Sequence, residues 1–308
     1  MKLQILQAPV PADRPLAVAL GSFDGVHMGH MDVLRQAAAQ KAEGLRTAVF
    51  TLSGLIGGAK PVKRLVSDAR QEELFQDIGF DFLYRVDFAS VRHMSPEVFV
   101  REILHEKLRA KVVCCGFNYH FGCKGAGDSA LLTRLCAQYG IRTVVVPPRT
   151  CDGAPVSSTR IRALLADGDA AAVRRLLGRP YAIAFPVVHG RALGRTIGLP
   201  TINQPIPADY VLPRFGVYAS SALIDGRRYH AVTNVGVKPT VGSDGPLAET
   251  WIIGFSGNLY GRTVPVELLE FLRPEQKFAS VEALRQQIVR DGAEAEKTLL
   301  TMQKNHKI

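Results

Sequence analysis

The chain has 308 residues, 47% hydrophobic and 21% charged, a composition that is typical of a folded globular protein and excludes a disordered chain. The formal net charge of +10 favours an anionic ligand, and because the basic residues are spread along the chain, we expect a nucleotide and no nucleic acid. No apolar run reaches the ~18 residues of a membrane span and no signal-peptide pattern is present, so we predict a cytoplasmic protein without a membrane partner.

From residue 16 to about residue 148, short β-branched runs alternate with helical patterns, which indicates parallel β-α-β units. The predicted strands are Leu16–Leu20, Arg46–Leu52, Phe82–Asp87, Ala110–Cys115 and Ile141–Val146. Candidate helix N-caps and C-caps flank the helical patterns; they are Ser67, Ser95 and Asp128, and Gly44, Gly79 and Gly140. All five cysteines lie in residues 114–151 without a Cys-x-x-Cys pair, and we expect most to be reduced packing residues. We predict a doubly wound parallel α/β sheet over residues 1–180.

From about Tyr181 the pattern changes to short alternating strands separated by turns. The pair Asp225-Gly226 stands between two alternating runs and predicts a hairpin. A helical pattern follows the last of these strands, with Ser280 as its candidate N-cap. We therefore predict that residues 181–308 form an antiparallel β-barrel with a terminal helix.

The loop GSFDGVHMGH, residues 21–30, joins the first predicted strand to the first helical pattern. This position binds anions in α/β sheets because free backbone N–H groups and the helix dipole point there. The loop matches neither the P-loop nor the dinucleotide fingerprint. His27 and His30 could donate hydrogen bonds to a phosphate, and Gly25 and Gly29 would let it approach the backbone. Taken alone, the loop also leaves open a zinc site or two incidental histidines.

Two features of the second domain carry candidate chemistry. In the segment GRALGRTIGLPTINQP, residues 190–205, an extended chain would place Thr201 and Asn203 on one side, where their oxygens suit a hard cation. By composition alone, this segment could instead be a mobile surface loop. In LAETWIIGF, alternation places Glu249 on the same face as Trp251, and a carboxylate among apolar neighbours suits a general base. A solvated glutamate on an edge strand is the alternative.

Three segments of the first domain resemble a known family. GSFDGVHMGH resembles the Gly-x-Phe-Asp-Gly-x-His-x-Gly-His signature of the nucleotidyltransferase superfamily, and VSSTRIR (156–162) resembles its Ser-Ser-Thr-x-x-Arg signature. CGFNYHFGCKGAGD (115–128) is similar to a segment of the FMN adenylyltransferase module of bacterial bifunctional riboflavin kinase/FAD synthetases. The resemblance implies that His27 and His30 are the catalytic contacts to the ATP phosphates. The residues it assigns to nucleotide binding are Gly21, Phe23, Asp24, Gly25, Gly29, Asn118, Ser158, Thr159 and Arg162.

One departure from the family pattern follows Phe50. Members commonly carry a Phe-x-Pro-His-Pro segment there, whereas this chain reads FTLSGLIGG at residues 50–58. The missing prolines and histidine open an alternative in which the chain is a riboflavin kinase only, with an impaired or redirected nucleotidyltransferase domain.

The second domain resembles riboflavin kinases. Residues 190–203 are similar to the Gly-x-x-x-Gly-x-x-x-Gly-x-Pro-Thr-x-Asn signature of that family, and NVGVKPTVG (234–242), ETWII, LYG (259–261) and EFLRPEQKF (270–278) follow in the family's order. The resemblance implies that Gly194, Gly198, Thr201 and Asn203 bind ATP, with Thr201 and Asn203 as Mg²⁺ ligands, and that Glu249 is the catalytic glutamate. We therefore expect a bifunctional enzyme that phosphorylates riboflavin to FMN with ATP at residues 181–308. Residues 1–180 would adenylylate FMN to FAD with release of pyrophosphate.

Overall fold

A computed structural model of the chain describes residues 2–54, 62–190, 194, 197–237 and 245–304. Contacts divide the chain into two compact units, Met1–Ser158 and Thr159–Ile308. The division falls after the first residue of α6 (Ser158–Asp167), so the rest of that helix and α7 (Ala170–Leu177) belong to the second unit. The boundary at residue 180 between functional modules stays a prediction.

The first unit is a parallel α/β sheet. Its strands are β1 (Gln4–Leu6), β2 (Leu16–Leu20), β3 (Arg46–Ser53), β4 (Phe82–Asp87), β5 (Ala110–Gly116) and β6 (Arg142–Val146), with the short pair β7 (Thr150–Cys151) and β8 (Ala154–Pro155). Its helices are α1 (Met28–Ala39), α2 (Asp68–Ile78), α3 (Phe88–Val91), α4 (Pro96–Val98) and α5 (Ser129–Gln138), with a π-helix at Phe99–Lys107 and 3-10 turns at Gln40–Glu43 and Cys123–Gly125. The five predicted strands are confirmed within one residue at each end, and the structure adds the edge strand β1.

The order of the strands reverses next to β2. The sheet runs β1-β4-β3-β2-β5-β6 with all neighbours parallel. The chain moves from β2 through β3 to β4, and then crosses back to place β5 on the other side of β2. In open α/β sheets, ligands bind beyond the carboxyl ends of the strands at such a reversal. Both faces of β2 are buried, because its alternate residues pack into two different hydrophobic clusters, one on each side of the sheet. This is why the sequence of β2 is a continuous apolar run.

The predicted helix ends are mostly confirmed by hydrogen bonds. The side chains of Ser67, Ser95 and Asp128 each accept a backbone N–H at the start of α2, α4 and α5. Gly44 and Gly79 are C-caps in the left-handed region, whereas the C-cap of α5 is Tyr139, one residue before Gly140. The helix predicted after Ser95 is π-helical over Phe99–Lys107. Hydrophobic spacing did not distinguish its wider turns from α-helical ones.

The cysteines behave as packing residues. All five are free, and three of them are buried. Burial raises the pKa of Cys114 and Cys115 to about 12 and that of Cys136 to about 11. These three side chains are therefore protonated thiols at neutral pH, which suits a packing role.

A buried carboxylate, Asp81, ties the start of β4 to β3. Its Oδ2 accepts hydrogen bonds from the backbone N–H (2.8 Å) and hydroxyl (3.0 Å) of Thr47, and its Oδ1 lies 3.3 Å from Lys41 Nζ. Burial alone would raise the pKa of Asp81, but the Thr47 hydrogen bonds and the Lys41 charge outweigh it and hold the pKa below its ordinary value of 3.8. The charged form of Asp81 therefore stabilises the folded unit.

Acid is expected to remove this stabilisation. Because the folded pKa lies below 3.8, the contribution of Asp81 is present above pH 3.8 and is lost as the pH falls through the lowered folded value. Asp81→Asn should therefore have a lower free energy of unfolding than the wild type at neutral pH, and the difference between the two should become smaller below pH 3.8. Urea denaturation from neutral to acid pH measures it, and Asp77→Asn at an exposed site on α2 is the control. A deficit that is constant with pH would contradict the assignment.

The second unit is built on an antiparallel sheet. Its strands are β9 (Tyr181–Ile183), β10 (Thr201–Pro205), β11 (Gly216–Ile224), β12 (Arg227–Val237), β13 (Pro246–Ile252) and β14 (Val266–Arg273), followed by α8 (Val281–Lys304). The order is β10-β13-β12-β11-β14-β9. β9 and β10 are the two edge strands of this sheet. The segment after β9 forms a β-bridge with β10 between Val188 and Asn203, so the two edges are joined, as expected for a barrel.

Two local predictions in this unit are confirmed. Asp225 and Gly226 form the two-residue turn between β11 and β12, whose register pairs Ile224 with Arg227. The Ser280 side chain accepts the backbone N–H of Ala283 at the start of α8. Inside the sheet, hydroxyls of Ser220, Thr233 and Thr250 form a buried chain of hydrogen bonds of 2.8 and 2.9 Å, so these polar side chains are satisfied without water.

Candidate active sites

The loop after β2 has an unusual backbone. Phe23 and Val26 have φ angles of +50° and +42°, in a region of backbone conformation that residues other than glycine rarely adopt. Both side chains are fully buried. The loop ends at His27, which is the N-cap of α1. The residues GSFDGVH therefore form a fixed turn at the carboxyl end of β2 and the N-terminus of a helix, where backbone donors can meet an anion.

The two histidines stack at this helix start. Their ring centroids are 3.5 Å apart with planes inclined by 16°. His27 Nδ1 accepts the backbone N–H of His30 at 3.2 Å, so neutral His27 carries its proton on Nε2 and can donate it to a ligand. A Cβ on Gly29 would stand 3.3 Å from the His27 ring, so the glycine leaves the imidazole room. The spacing His-x-Gly-His thus builds one paired donor group.

The second signature of the first domain contacts the loop through Ser158. Ser158 Oγ donates to the carbonyl oxygen of Asp24 at 2.8 Å, and Asp24 Oδ1 accepts the backbone N–H of Leu65 at 2.9 Å. Ser158 therefore holds the backbone of the loop. Thr159 and Arg162 lie on α6 and belong by their contacts to the second unit.

The remaining predicted residues of the first site lie along the same edge. Gly21, Phe23, Gly25 and Gly29 belong to the loop or to the first turn of α1. Asn118 is exposed just after β5, the neighbour of β2 across the crevice. The positions 55–58, within the segment where the Pro-His-Pro motif is missing, lie outside the described residues.

The second site is a cavity of about 290 Å³ between one face of the sheet and α8. Thr201 Oγ1 donates to Glu249 Oε1 at 3.1 Å within this cavity. The register places Glu249 directly between Asn203 on β10 and Asn234 on β12, and partners in a ladder share a face. The cavity wall is largely apolar; its apolar residues include Ile197, Leu199, Val217, Val232, Trp251, Phe278, Leu284 and Ile288. The structure thus brings Thr201, Asn203 and Glu249 together on one face of the sheet.

The glycines of the second signature differ in position. Gly194 lines the cavity, and a Cβ there would stand 2.4 Å from the Leu199 carbonyl oxygen and 3.3 Å from Thr201 Oγ1, so this close approach requires glycine. Gly198 lies in the turn before Leu199 and is not part of the cavity lining. Residues 191–193, 195–196 and 238–244, which include part of the quoted signatures, lie outside the described residues.

Sequence reasoning missed the polar residues that complete this cavity. Asn234 Nδ2 donates to Glu275 Oε1 at 2.9 Å, whereas the buried Asn234 Oδ1 has no hydrogen-bond partner among the residues that the structure describes. Arg273 binds Asp291 with two hydrogen bonds of 3.0 and 2.7 Å, which fasten α8 over the cavity. Both Asn234 and Arg273 stand in segments quoted above, but spacing alone does not reveal partners 18 or 41 residues away.

The side chains available for a metal ion are few. Among the residues that the structure describes, no group of three or more His, Cys, Asp and Glu side chains lies close enough to hold a metal. Neutral oxygens are present instead, on Thr201 and Asn203. Asn203 is buried, and a Cβ at Gly190 would stand 2.5 Å from its amide nitrogen.

Two family models match the chain: FAD synthetase over residues 10–160 and riboflavin kinase over residues 177–299. The bifunctional riboflavin kinase/FMN adenylyltransferase of Listeria monocytogenes is 35% identical over 305 residues, covering 94% of this chain and 96% of that protein. Proteins of the same name from Pseudomonas fluorescens and Escherichia coli K12 are 35% and 34% identical. They cover 92% and 89% of this chain and 93% and 90% of their own lengths.

One solved structure is also similar. A crystal structure described as a macrolide-efflux protein from Streptococcus pneumoniae has a TM-score of 0.85 and 28% identity, and covers 96% of this chain and 99% of its own. In the part of the chain that the structure describes, no helix has the length and apolar character to cross a membrane.

The comparisons bear on the alternative of a kinase alone. The FAD synthetase match spans the positions after Phe50 where the Pro-His-Pro motif is missing, so the kinase-only interpretation is not favoured. The curated relatives match both halves of the chain in one alignment that covers nearly their whole length. The chain belongs to the family of bifunctional riboflavin kinase/FMN adenylyltransferases.

Proposed function

We propose that the cavity beneath α8 phosphorylates riboflavin to FMN and that the loop after β2 adenylylates FMN to FAD. The observation that carries the proposal is the placement of Glu249, a carboxylate hydrogen-bonded to Thr201 in an otherwise mostly apolar cavity. Such a group can accept the proton of an alcohol held beside it.

In the kinase step, Glu249 accepts the proton of the riboflavin 5′-hydroxyl while that oxygen attacks the γ-phosphorus of ATP, and ADP leaves. The apolar wall formed by Val217, Val232 and Trp251 suits a flat flavin ring. Thr201 and Asn203 would hold Mg²⁺ through neutral oxygens, which are ligands that this cation accepts. When bound, the cation neutralises charge on the phosphates.

In the adenylyl transfer, a phosphate oxygen of FMN attacks the α-phosphorus of ATP and pyrophosphate leaves. The Nε2–H of His27 and the imidazole of His30 donate to the phosphates, where charge develops in the transition state. Asn118, Ser158, Thr159 and Arg162 are proposed to hold the nucleotide. The protein contributes positioning and charge stabilisation and forms no covalent intermediate.

A flavin assay tests both steps. The full chain is incubated with riboflavin, ATP and Mg²⁺, the flavins are separated by chromatography, and the experiment is repeated from FMN. FMN is expected to form first and FAD to follow, and a chelator should stop both steps. FMN that accumulates without FAD under varied ATP and redox conditions would sink the adenylyltransferase half alone. A cytoplasmic location and the absence of nucleic-acid binding stay predictions.

A further inference from the structure

A buried glutamine forms hydrogen bonds with the backbone of the loop that carries the two histidines. Gln71, on α2, is buried, and its Nε2 lies 3.3 Å from the carbonyl oxygen of Ser22 and 3.2 Å from that of Phe23. A second donor, Thr51 Oγ1 on β3, donates to the Ser22 carbonyl oxygen at 3.1 Å. Side chains of α2 and β3 therefore hold the backbone carbonyls of Ser22 and Phe23.

A buried arginine fixes the orientation of that glutamine. Arg85 on β4 is 7% exposed, and its Nη2 donates to Gln71 Oε1 at 3.1 Å. Its Nη1 donates to Glu72. The arginine can only donate hydrogen bonds and the loop carbonyls can only accept them. The Gln71 amide can therefore bond to both partners in one orientation only, with Oε1 towards Arg85 and Nε2 towards the loop.

The loop has a conformation that such a support explains. Phe23 and Val26 sit at positive φ, which the local sequence does not favour and which persists only where the surroundings impose it. The Phe23 carbonyl accepts both the Val26 N–H at 3.0 Å and the Gln71 amide. The bonds from Gln71 therefore act on the residues whose backbone sets where His27 begins α1.

We propose that Gln71, oriented by Arg85, is a positioning residue for adenylyl transfer that keeps the His27–His30 pair in place for the phosphates of ATP. The proposal rests on the adenylyltransferase function proposed above. It assigns no contact between Gln71 and a substrate. The effect should therefore be on kcat for FAD formation, with the KM for FMN unchanged.

The decisive variant is Gln71→Glu in the full chain. The introduced carboxylate has the same shape and still pairs with Arg85, but it cannot donate to the two carbonyls. We expect kcat for FMN-to-FAD conversion to fall about 10- to 100-fold, the order expected for a misplaced catalytic group. As the pH is lowered the carboxyl group gains a proton that it can donate, so the rate relative to the wild type should rise. Arg85→Lys should also lower kcat, because an ammonium group lacks the planar guanidinium that donates to Gln71 and Glu72 at the same time.

Controls separate this role from a folding defect. Gln76→Glu adds the same charge at an exposed site on the same helix and should leave kcat unchanged. Riboflavin phosphorylation in each variant reports on the rest of the chain. The positioning role would be overturned if Gln71→Glu kept the wild-type kcat, or if Gln76→Glu lowered kcat as much as Gln71→Glu does. It would also be overturned if Gln71→Glu lowered kcat with a raised KM for FMN and without a dependence on pH. A wild-type chain that forms no FAD would instead overturn the proposed function.

Discussion

Glu249→Gln is expected to abolish FMN formation while FMN-to-FAD conversion continues at the wild-type rate. The amide has the shape of the carboxylate, and its oxygen can still accept the hydrogen bond from Thr201. It cannot accept the hydroxyl proton, and loss of a general base typically lowers kcat about 10²- to 10⁴-fold. Steady-state assays from riboflavin and from FMN, each with ATP and Mg²⁺, measure the two rates separately.

The control for this variant is Glu296→Gln, the same change at an exposed position of α8. It should leave both rates unaltered. If Glu249→Gln lowered both activities equally, the two sites would not be separate. If it formed FMN at the wild-type rate, Glu249 would not be the base, and Glu275, the other carboxylate beside Asn234 in the cavity, would be the next candidate.

The sequence predicts the first unit well because its signals are local. The apolar run of β2 and the cap at Ser67 each lie within a few residues of the turn or helix that they define. The edge strand β1, only three residues long, is too short for a periodicity to show. The turn conformation of Phe23 and Val26 was also not predictable, since it depends on hydrogen bonds from α2 and β3.

The second site shows where sequence reasoning stops. The alternation around Glu249 indicates which face of its strand the glutamate occupies, and the spacing of Thr201 and Asn203 indicates that these two residues share one face of theirs. That the two faces are the same depends on the register of β10 against β13, which pairs Asn203 with Glu249. The position of α8 depends on the Arg273–Asp291 pair, so the depth of the cavity is a property of the assembled sheet and helix.

His30→Ala should have the converse effect of Glu249→Gln: FAD formation is lost and riboflavin phosphorylation is kept. Removing one donor that stabilises developing charge typically lowers kcat about 10²- to 10³-fold. His30 is a cleaner target than His27, because the His27 ring also caps α1 by accepting the backbone N–H of residue 30. That backbone donor survives the change, so the helix start should remain, whereas His27→Ala removes both a donor and a cap.

The two activities of one polypeptide make this test internally controlled. His93→Ala removes an exposed histidine from the same unit and should leave FAD formation unchanged. His30→Gln restores a neutral donor and should recover part of the lost rate if hydrogen bonding to phosphate is the role of His30. A normal FAD rate in His30→Ala would refute that role. Because His27 stacks on His30 at 3.5 Å, a loss in His30→Ala that His30→Gln does not recover would instead indicate that ring packing holds His27 in position.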